Sequence, residues 1–389
     1  MKVCILSRDF PPDHGGVQTW MERIALYYGE HAIVIARHCP GDADYDARQS
    51  YEIKRMPRLE WKPRHPALNM ILRALSSFLR FVISGVMLSD AIRAQKTDIV
   101  HCAYVFANGL PMMVVRILTG CPYVVYCHGT EILREKERGG VRRLIMRLVL
   151  RLAARVIVNS RFMRDEVGEL IPVERIIIAP LGADSGKLDP QRIPVEEIDG
   201  RDLKNRTVLV TVGRLEPRKG HDMIVRALST IAAREPRVLW IVVGEGPERP
   251  SIESLVAQNN LTERVIFAGR RGDDELSGIL ARADLFVMPS RRIGPDVEGF
   301  GIVFLEAALF GVPAVAGRSG GMADAVEDGV TGLLCEPENP QELADKILQI
   351  ISSPELRRSM GDQARARAQA RTWSACCAHV DAQLQTLVL

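Results

Sequence analysis

The chain has 389 residues, too many for one typical domain, and its 47% hydrophobic and 25% charged content is ordinary for a soluble globular protein, so two domains are expected. A formal net charge of +3 gives nucleic-acid binding no global support, and the eight scattered cysteines, with no Cys-x-x-Cys pair, read as reduced core thiols in a cytoplasmic protein rather than metal ligands. The start, Met1-Lys-Val-Cys-Ile-Leu-Ser-Arg-Asp9, has only four apolar residues in a row before charge, which predicts a first strand and not a signal peptide. No apolar run reaches the roughly 18 residues that a spanning helix needs, so a membrane can be touched but not crossed.

Short apolar runs at 3–6, 32–36, 99–102, 123–127, 156–159 and 176–179 alternate with longer helical stretches. Buried strands spaced by helices imply βαβ units and a parallel sheet. From 182 the chain becomes polar and Pro-containing, and 186–206 reads as a linker between a domain at 1–185 and another at 207–372. The alternation restarts with runs at 208–212, 239–243, 265–268, 285–288, 313–316 and 332–335. The expected fold is α/β, two doubly wound Rossmann-like domains facing a central cleft, with ligands outside the carboxyl ends of the strands. A break at Thr372-Trp373 leaves a terminal helix, 373–389, that is expected to pack back on the first domain.

Candidate site residues follow the strand ends. Strand 3–6 leads through Asp13-His14-Gly15-Gly16 into a helix from Gln18 to Tyr28; paired glycines let a phosphate press on backbone amides, or simply make a tight turn. Strand 123–127 ends in His128-Gly129-Thr130-Glu131, where His128 either contacts a sugar hydroxyl or is a hydrogen-bonded structural residue. At 141–155, Arg143, Arg147, Arg151 and Arg155 recur every fourth residue beside an apolar face containing Leu144, Leu148 and Leu152, and 68–93 is a second apolar helical region with few acids. Such a stripe either meets an anionic membrane surface or is a solvated face.

Strand 208–212 ends in Gly213-Arg214-Leu-Glu-Pro-Arg218-Lys219-Gly220, three cations that suit a diphosphate or form a solvated basic turn. Asp273-Asp274 invites a metal reading but precedes a helix, where Asp is favoured in the cap and first turn. The richest stretch is Glu298-Gly-Phe-Gly-Ile-Val-Phe-Leu-Glu306, two carboxylates eight positions apart around a Gly-Phe-Gly turn between strand and helix. Gly299 and Gly301 permit close backbone approach, the helix N-terminus binds phosphate or sugar oxygen, and each carboxylate accepts hydroxyl hydrogen bonds at a different depth. Gly317-Arg-Ser-Gly-Gly321 is a further strand-end turn without an assigned duty.

These motifs resemble retaining glycosyltransferases of the GT-B fold, glycosyltransferase family 4, over essentially the whole chain. The resemblance implies that Glu298 contacts the donor hexose, Glu306 the ribose, Arg214 and Lys219 the diphosphate, and Gly15 and Gly16 the loop beside it. His128 then lies near the sugar, and Gly299, Phe300 and Gly301 supply the donor-binding turn and its amides. It implies catalysis by His128, Arg214, Lys219 and Glu298 and no metal, the departing diphosphate taking the acceptor's proton on the same face while the cations stabilise it. Around Arg291 to Phe304 the chain is most similar to bacterial phosphatidylinositol mannosyltransferases, which implies GDP-mannose as donor, with a UDP-sugar as the alternative. A lipid, lipid-linked or polysaccharide acceptor in cell-envelope synthesis follows, with the first domain on the acceptor side and the enzyme at the inner face of the plasma membrane. Asp13-His14 stands where glucan synthases of this fold carry Lys-x, which argues against starch or glycogen synthesis. A nucleotide-sugar epimerase, a phosphorylase or a non-catalytic nucleotide-sugar sensor are the competing classes.

Overall fold

The computed structural model describes residues 1–13, 15–56, 69–183 and 186–387, with backbone only for 69–78 and 80. His14, Leu68 and the expected boundary at residue 185 lie outside the described residues. Two compact units emerge: Met1–Asn159 with Met163–Ala179 and Cys376–Leu389, and Ser160–Phe162 with Pro180–Ala375.

The first unit is built on seven parallel strands: β1 (Val3–Leu6), β2 (Ala32–Arg37), β3 (Glu52–Met56), β4 (Ile99–Cys102), β5 (Tyr123–Cys127), β6 (Arg155–Val158) and β7 (Ile176–Ile178). Their order, β3-β2-β1-β4-β5-β6-β7, reverses between β1 and β4, so the strand-end turns leaving those two strands open a crevice at the carboxyl edge. β1, β4 and β5 are buried throughout, as strands covered by helices on both faces must be. The edge strand β3, Glu-Ile-Lys-Arg-Met, is half exposed.

The second unit holds a two-stranded antiparallel ribbon, β8 (Glu197–Ile198) and β9 (Arg201–Asp202), and a six-stranded parallel sheet. The sheet comprises β10 (Thr207–Val212), β11 (Val238–Val243), β12 (Val265–Gly269), β13 (Leu285–Met288), β14 (Ala314–Gly317) and β15 (Gly332–Cys335), ordered β12-β11-β10-β13-β14-β15. Here the reversal falls between β10 and β13. Leu209, Trp240, Val287 and Val315 pack from the sheet against Ile224, Leu228 and Ile347 of the covering helices. At about 25 cal/mol per Å² of apolar surface, such fully buried aliphatic side chains contribute roughly 1.5–3 kcal/mol each.

Two expectations shift. Residues 186–206, read as a linker, belong to the second unit: Leu188, Ile198 and Leu203 are buried, and Asp189 N and Val195 N donate to Ser277 Oγ (3.1 Å) and Gly278 O (3.2 Å). The polar composition hid those apolar anchors. The helix carrying the arginine stripe is Gly140–Leu152, so Arg143, Arg147 and Arg151 lie on it while Arg155 opens β6, half buried. After residue 375 the last helix, Trp373–Gln385, belongs to the first unit, where Tyr28 Oη donates to Asp381 Oδ1 at 2.7 Å.

Candidate active site

In the second unit the turns leaving β10 and β13 meet at the sheet's reversal point. After β10 the chain makes a short 3-10 turn, Pro217–Lys219, then Gly220 at φ +75°, where a Cβ would lie 2.3 Å from Pro289 O. Only glycine fits that left-handed, crowded position. The contact presses the cationic turn against the end of β13 and buries Lys219 on Glu298. Glu298 Oε2 accepts from Lys219 Nζ at 2.5 Å and from Arg218 Nη1 at 2.6 Å. Burial opposes ionisation of Glu298, but the charges of Lys219 and Arg218 outweigh it and hold the carboxyl at about 2, so it is an anion at every physiological pH.

This geometry leaves useful valence open. An ammonium has three donors and Lys219 commits one to Glu298, while both cations share Oε2 and neither bonds Oε1. The clasp therefore has a donor to offer an anion and a carboxylate oxygen to offer a hydroxyl. Arg218, whose Nη2 also reaches Glu216 at 3.2 Å, is the cation that sequence reading passed over in favour of Arg214. Arg214 does not join the clasp: its side chain is 68% exposed and pairs with Glu216 at 3.3 Å.

Gly301 caps the helix Ile302–Leu309 at φ +84°, where a Cβ would strike Met322 Cε at 2.7 Å and the Phe304 ring at 2.9 Å. The Phe300 side chain is core, only 1% exposed, so only its backbone can serve a ligand. Glu306 is half buried, about one turn into that helix. The turn after β14 now acquires a duty: Gly321 N donates to Glu298 O at 3.0 Å, and Cβ atoms on Gly320 and Gly321 would lie 2.3 Å from Glu298 O and 1.9 Å from Gly299 O. Two glycines thus let one loop's backbone lie directly on the peptide that carries Glu298. The pair Asp273-Asp274 sits in the first turn of Asp273–Arg282, capped by Gly272 with Glu275 Oε2 accepting from Gly272 N at 3.4 Å. Among the described residues no three His, Cys, Asp or Glu side chains converge to hold a metal.

In the first unit Gly15 caps the helix Gly16–Tyr28, and a Cβ on Gly16 would meet nothing within 4 Å, so packing does not demand glycine there. His128 Nε2 lies 2.9 Å from Ala103 O, which can only accept; Nε2 therefore carries the proton and Nδ1 presents a lone pair. Its ring meets Trp20 edge to face at 5.2 Å and lies parallel to Tyr126 at 6.4 Å. Burial pushes His128 down to about 4, against the raising effect of Ala103 O, so it is a neutral imidazole at neutral pH.

The family model described as Glycosyltransferase Family 4 matches residues 14–187, and that described as Glycosyl transferases group 1 matches 196–367. A GDP-mannose-dependent alpha-(1-6)-phosphatidylinositol monomannoside mannosyltransferase of Mycolicibacterium smegmatis is 29% identical, over 92% of this chain and 91% of that protein. Alpha-D-kanosaminyltransferase of Streptomyces kanamyceticus is 30% identical, over 65% of this chain and 67% of that protein. Among solved structures, Anabaena HepE in complex with UDP superposes with a TM-score of 0.80 at 22% identity, covering 99% of this chain and 100% of that one. The chain belongs to the GT-B glycosyltransferases, with a family 4 first half and a group 1 second half, and is a glycosyltransferase.

Proposed function

We propose that this glycosyltransferase transfers α-mannose from GDP-mannose, with retention of configuration, to a lipid, lipid-linked or polysaccharide acceptor in cell-envelope glycan synthesis. The observation that carries the reading is the Glu298 clasp, an obligate anion sharing one oxygen between Lys219 and Arg218 where the turns after β10 and β13 meet. Glu298 Oε1 accepts from hexose hydroxyls, the spare Lys219 donor and Arg214 bind the diphosphate, the amides of Gly299, Phe300 and Gly301 assist at the helix N-terminus, and Glu306 holds the ribose. In the first unit Gly15 and Gly16 offer amides to phosphate and the neutral His128 offers its Nδ1 lone pair to a sugar hydroxyl. The first unit handles the acceptor and the second the donor.

In the reaction the bond from the anomeric carbon to the diphosphate breaks and the bond to the acceptor oxygen forms on the same face. The leaving diphosphate takes the acceptor's proton. Lys219 and Arg214 stabilise the charge that develops on it, a role worth roughly 10²–10³ in rate for a preorganised donor.

GDP-mannose rests on the names of the mannosyltransferase relatives. A UDP-sugar is the second reading, favoured by the UDP complexes of HepE. A thermal-shift panel of GDP, UDP and ADP separates them, with GDP expected to raise the melting temperature most; NMR of the product's anomeric proton then reports configuration. A larger shift with UDP moves the donor to a UDP-sugar, and a β product overturns retention.

The protein acts in the cytoplasm, at the inner face of the plasma membrane. The helix Gly140–Leu152 supports this: Val141, Leu144 and Leu148 are exposed beside exposed Arg143, Arg147 and Arg151. Apolar and cationic side chains presented together suit an anionic bilayer surface, each cation contributing about 1 kcal/mol. No helix among the described residues is long and apolar enough to cross a membrane.

A further inference from the structure

In the first unit the turn leaving β5 grips the turn leaving β4 through two side chains of the motif His128-Gly129-Thr130-Glu131. His128 Nε2 donates to Ala103 O at 2.9 Å. Further along the same turn Glu131 accepts on both of its oxygens: Oε2 from Val105 N at 3.2 Å and Oε1 from Phe106 N at 3.2 Å. One side chain thus gives a hydrogen bond to a carbonyl of the neighbouring turn, and the other takes two from amides of the same short stretch.

Val105 and Phe106 open a π-helical turn, Val105–Gly109, that runs on into the helix Leu110–Thr119. The first amides of a helical run have no partner within it and favour an anion, which a local cap takes from the residue just before the run. Here that residue is Tyr104, whose side chain makes no capping bond, and the carboxylate comes from 25 and 26 positions downstream. A cap of that reach closes the helix and also fixes where the β4 turn stands against the β5 turn. Burial pushes the Glu131 carboxyl up while the Phe106 and Val105 amides favour its anion, so the charge depends on the grip as the grip depends on the charge. Arg142 lies over the Phe106 ring at 4.9 Å and pairs with Glu135 at 2.6 Å, a second hold on the same residue. Between the grips, Tyr104 sets its ring 6.1 Å from that of His128 and donates from Oη to Asp9 Oδ2 at 3.1 Å.

We propose that Glu131 is the positioning residue of the candidate active-site histidine: by holding Val105 N and Phe106 N it keeps the Ala103 carbonyl on His128 Nε2, which fixes the proton there and leaves Nδ1 as the acceptor. The proposal rests on the reading of His128 given above and adds the group that sets its tautomer. Glu131 touches neither sugar nor phosphate in this role and acts only through the turn.

The test reads the imidazole directly. Proton–nitrogen correlations of isotope-labelled histidine in the full chain, assigned by the signal lost in His128→Ala, should show wild-type His128 at neutral pH with its proton on Nε2. Glu131→Gln keeps one acceptor but turns an amide donor on the second backbone N–H, so it should move a measurable share of the proton to Nδ1. Should that variant not fold, Glu131→Asp, which keeps the charge at shorter reach, carries the same readouts. Turnover is followed as release of nucleoside diphosphate to water from GDP-mannose or UDP-glucose, whichever the wild type cleaves faster. Glu131→Gln should lower kcat by ~10-fold or more with little change in KM, since a group misplaced by about 1 Å can cost as much as 10²-fold. Added to His128→Ala it should cost almost nothing further. A tautomer unchanged by Glu131→Gln, or a full additional loss on the His128→Ala background, would overturn the proposal. Wild-type turnover by His128→Ala instead removes the histidine from the site, and the proposal with it, whatever the tautomer does.

Discussion

Replacing Glu298 by Gln keeps the shape of the side chain and removes the anion from between Lys219 and Arg218. The depression of the carboxyl from 4.5 to about 2 measures how much better the folded protein binds the anion than the acid, on the order of 3 kcal/mol at 1.36 kcal/mol per pH unit. Glu298 is mostly shielded from solvent, so screening reduces this little; removing one partner of a buried ion pair costs about 3–5 kcal/mol by the same logic. Because the folded value lies below the unfolded one, the stabilisation is full above about pH 4.5 and disappears as the pH falls toward 2. Hydrogen exchange read on peptides from β10 and the helix Ile302–Leu309 follows the second unit alone. At pH 7 the variant should open more readily than wild type by about 3 kcal/mol, and the gap should close between pH 4.5 and 2.5. A gap that stays constant from pH 7 to pH 3 would refute the reasoning, since it would show that the charge on Glu298 does not hold the clasp. Adding Lys219→Met to the Gln variant should cost less than the sum of the two single changes.

Lys219→Ala and Arg214→Ala should each lower turnover by roughly 10²–10³, and wild-type rates in both would return the loop to a solvated turn. Gly321→Ala puts a Cβ where Gly299 O already sits; it should destabilise the second unit by about 1–3 kcal/mol and weaken nucleoside diphosphate binding, and an unchanged dissociation constant would show that the turn does not support the Glu298 peptide. Reversing Arg143 and Arg147 to Glu should abolish sedimentation with anionic vesicles, and the wild-type association should fade with salt because screening limits surface charge to about 8 Å at physiological ionic strength. Wild-type protein that ignores such vesicles at low salt makes the stripe a solvated face.

Long-range order was most readable where burial was complete. Strands such as β1, β5 and β11 are covered on both faces, so their sequences are unbroken apolar runs that announce themselves. β3 stayed hidden because this half-exposed edge strand carries three charges, Glu52, Lys54 and Arg55, among only five residues. The ribbon of β8 and β9 vanished into a polar segment for the same reason, with Ile198 and Leu203 its few anchors. At the site, Lys219 and Glu298 stood out because a motif fixes their spacing, yet their contact spans 79 positions and no local pattern encodes it. Choosing Arg218 over Arg214 as partner needed the bend at Gly220, a left-handed glycine whose effect on direction cannot be read from composition. Gly320 and Gly321 were visible as a turn, but what they touch is another loop's backbone, which appears only in three dimensions.

The chain leaves the first unit at Ala179 and re-enters it at Cys376, while Pro180–Ala375 runs uninterrupted through the second. On a ribosome adding 5–20 residues per second, that excursion lasts roughly 10–40 s. During it the second unit's sheet is complete and free to close, but the first unit still lacks the helix that gives Tyr28 its Asp381 partner and covers Arg23 O with the Cys377 thiol. The half of the molecule made first is therefore the half finished last. A nascent first unit stalled at residue 179 exposes the seat of that helix to chaperones for the whole interval, whereas the second unit needs nothing beyond residue 375.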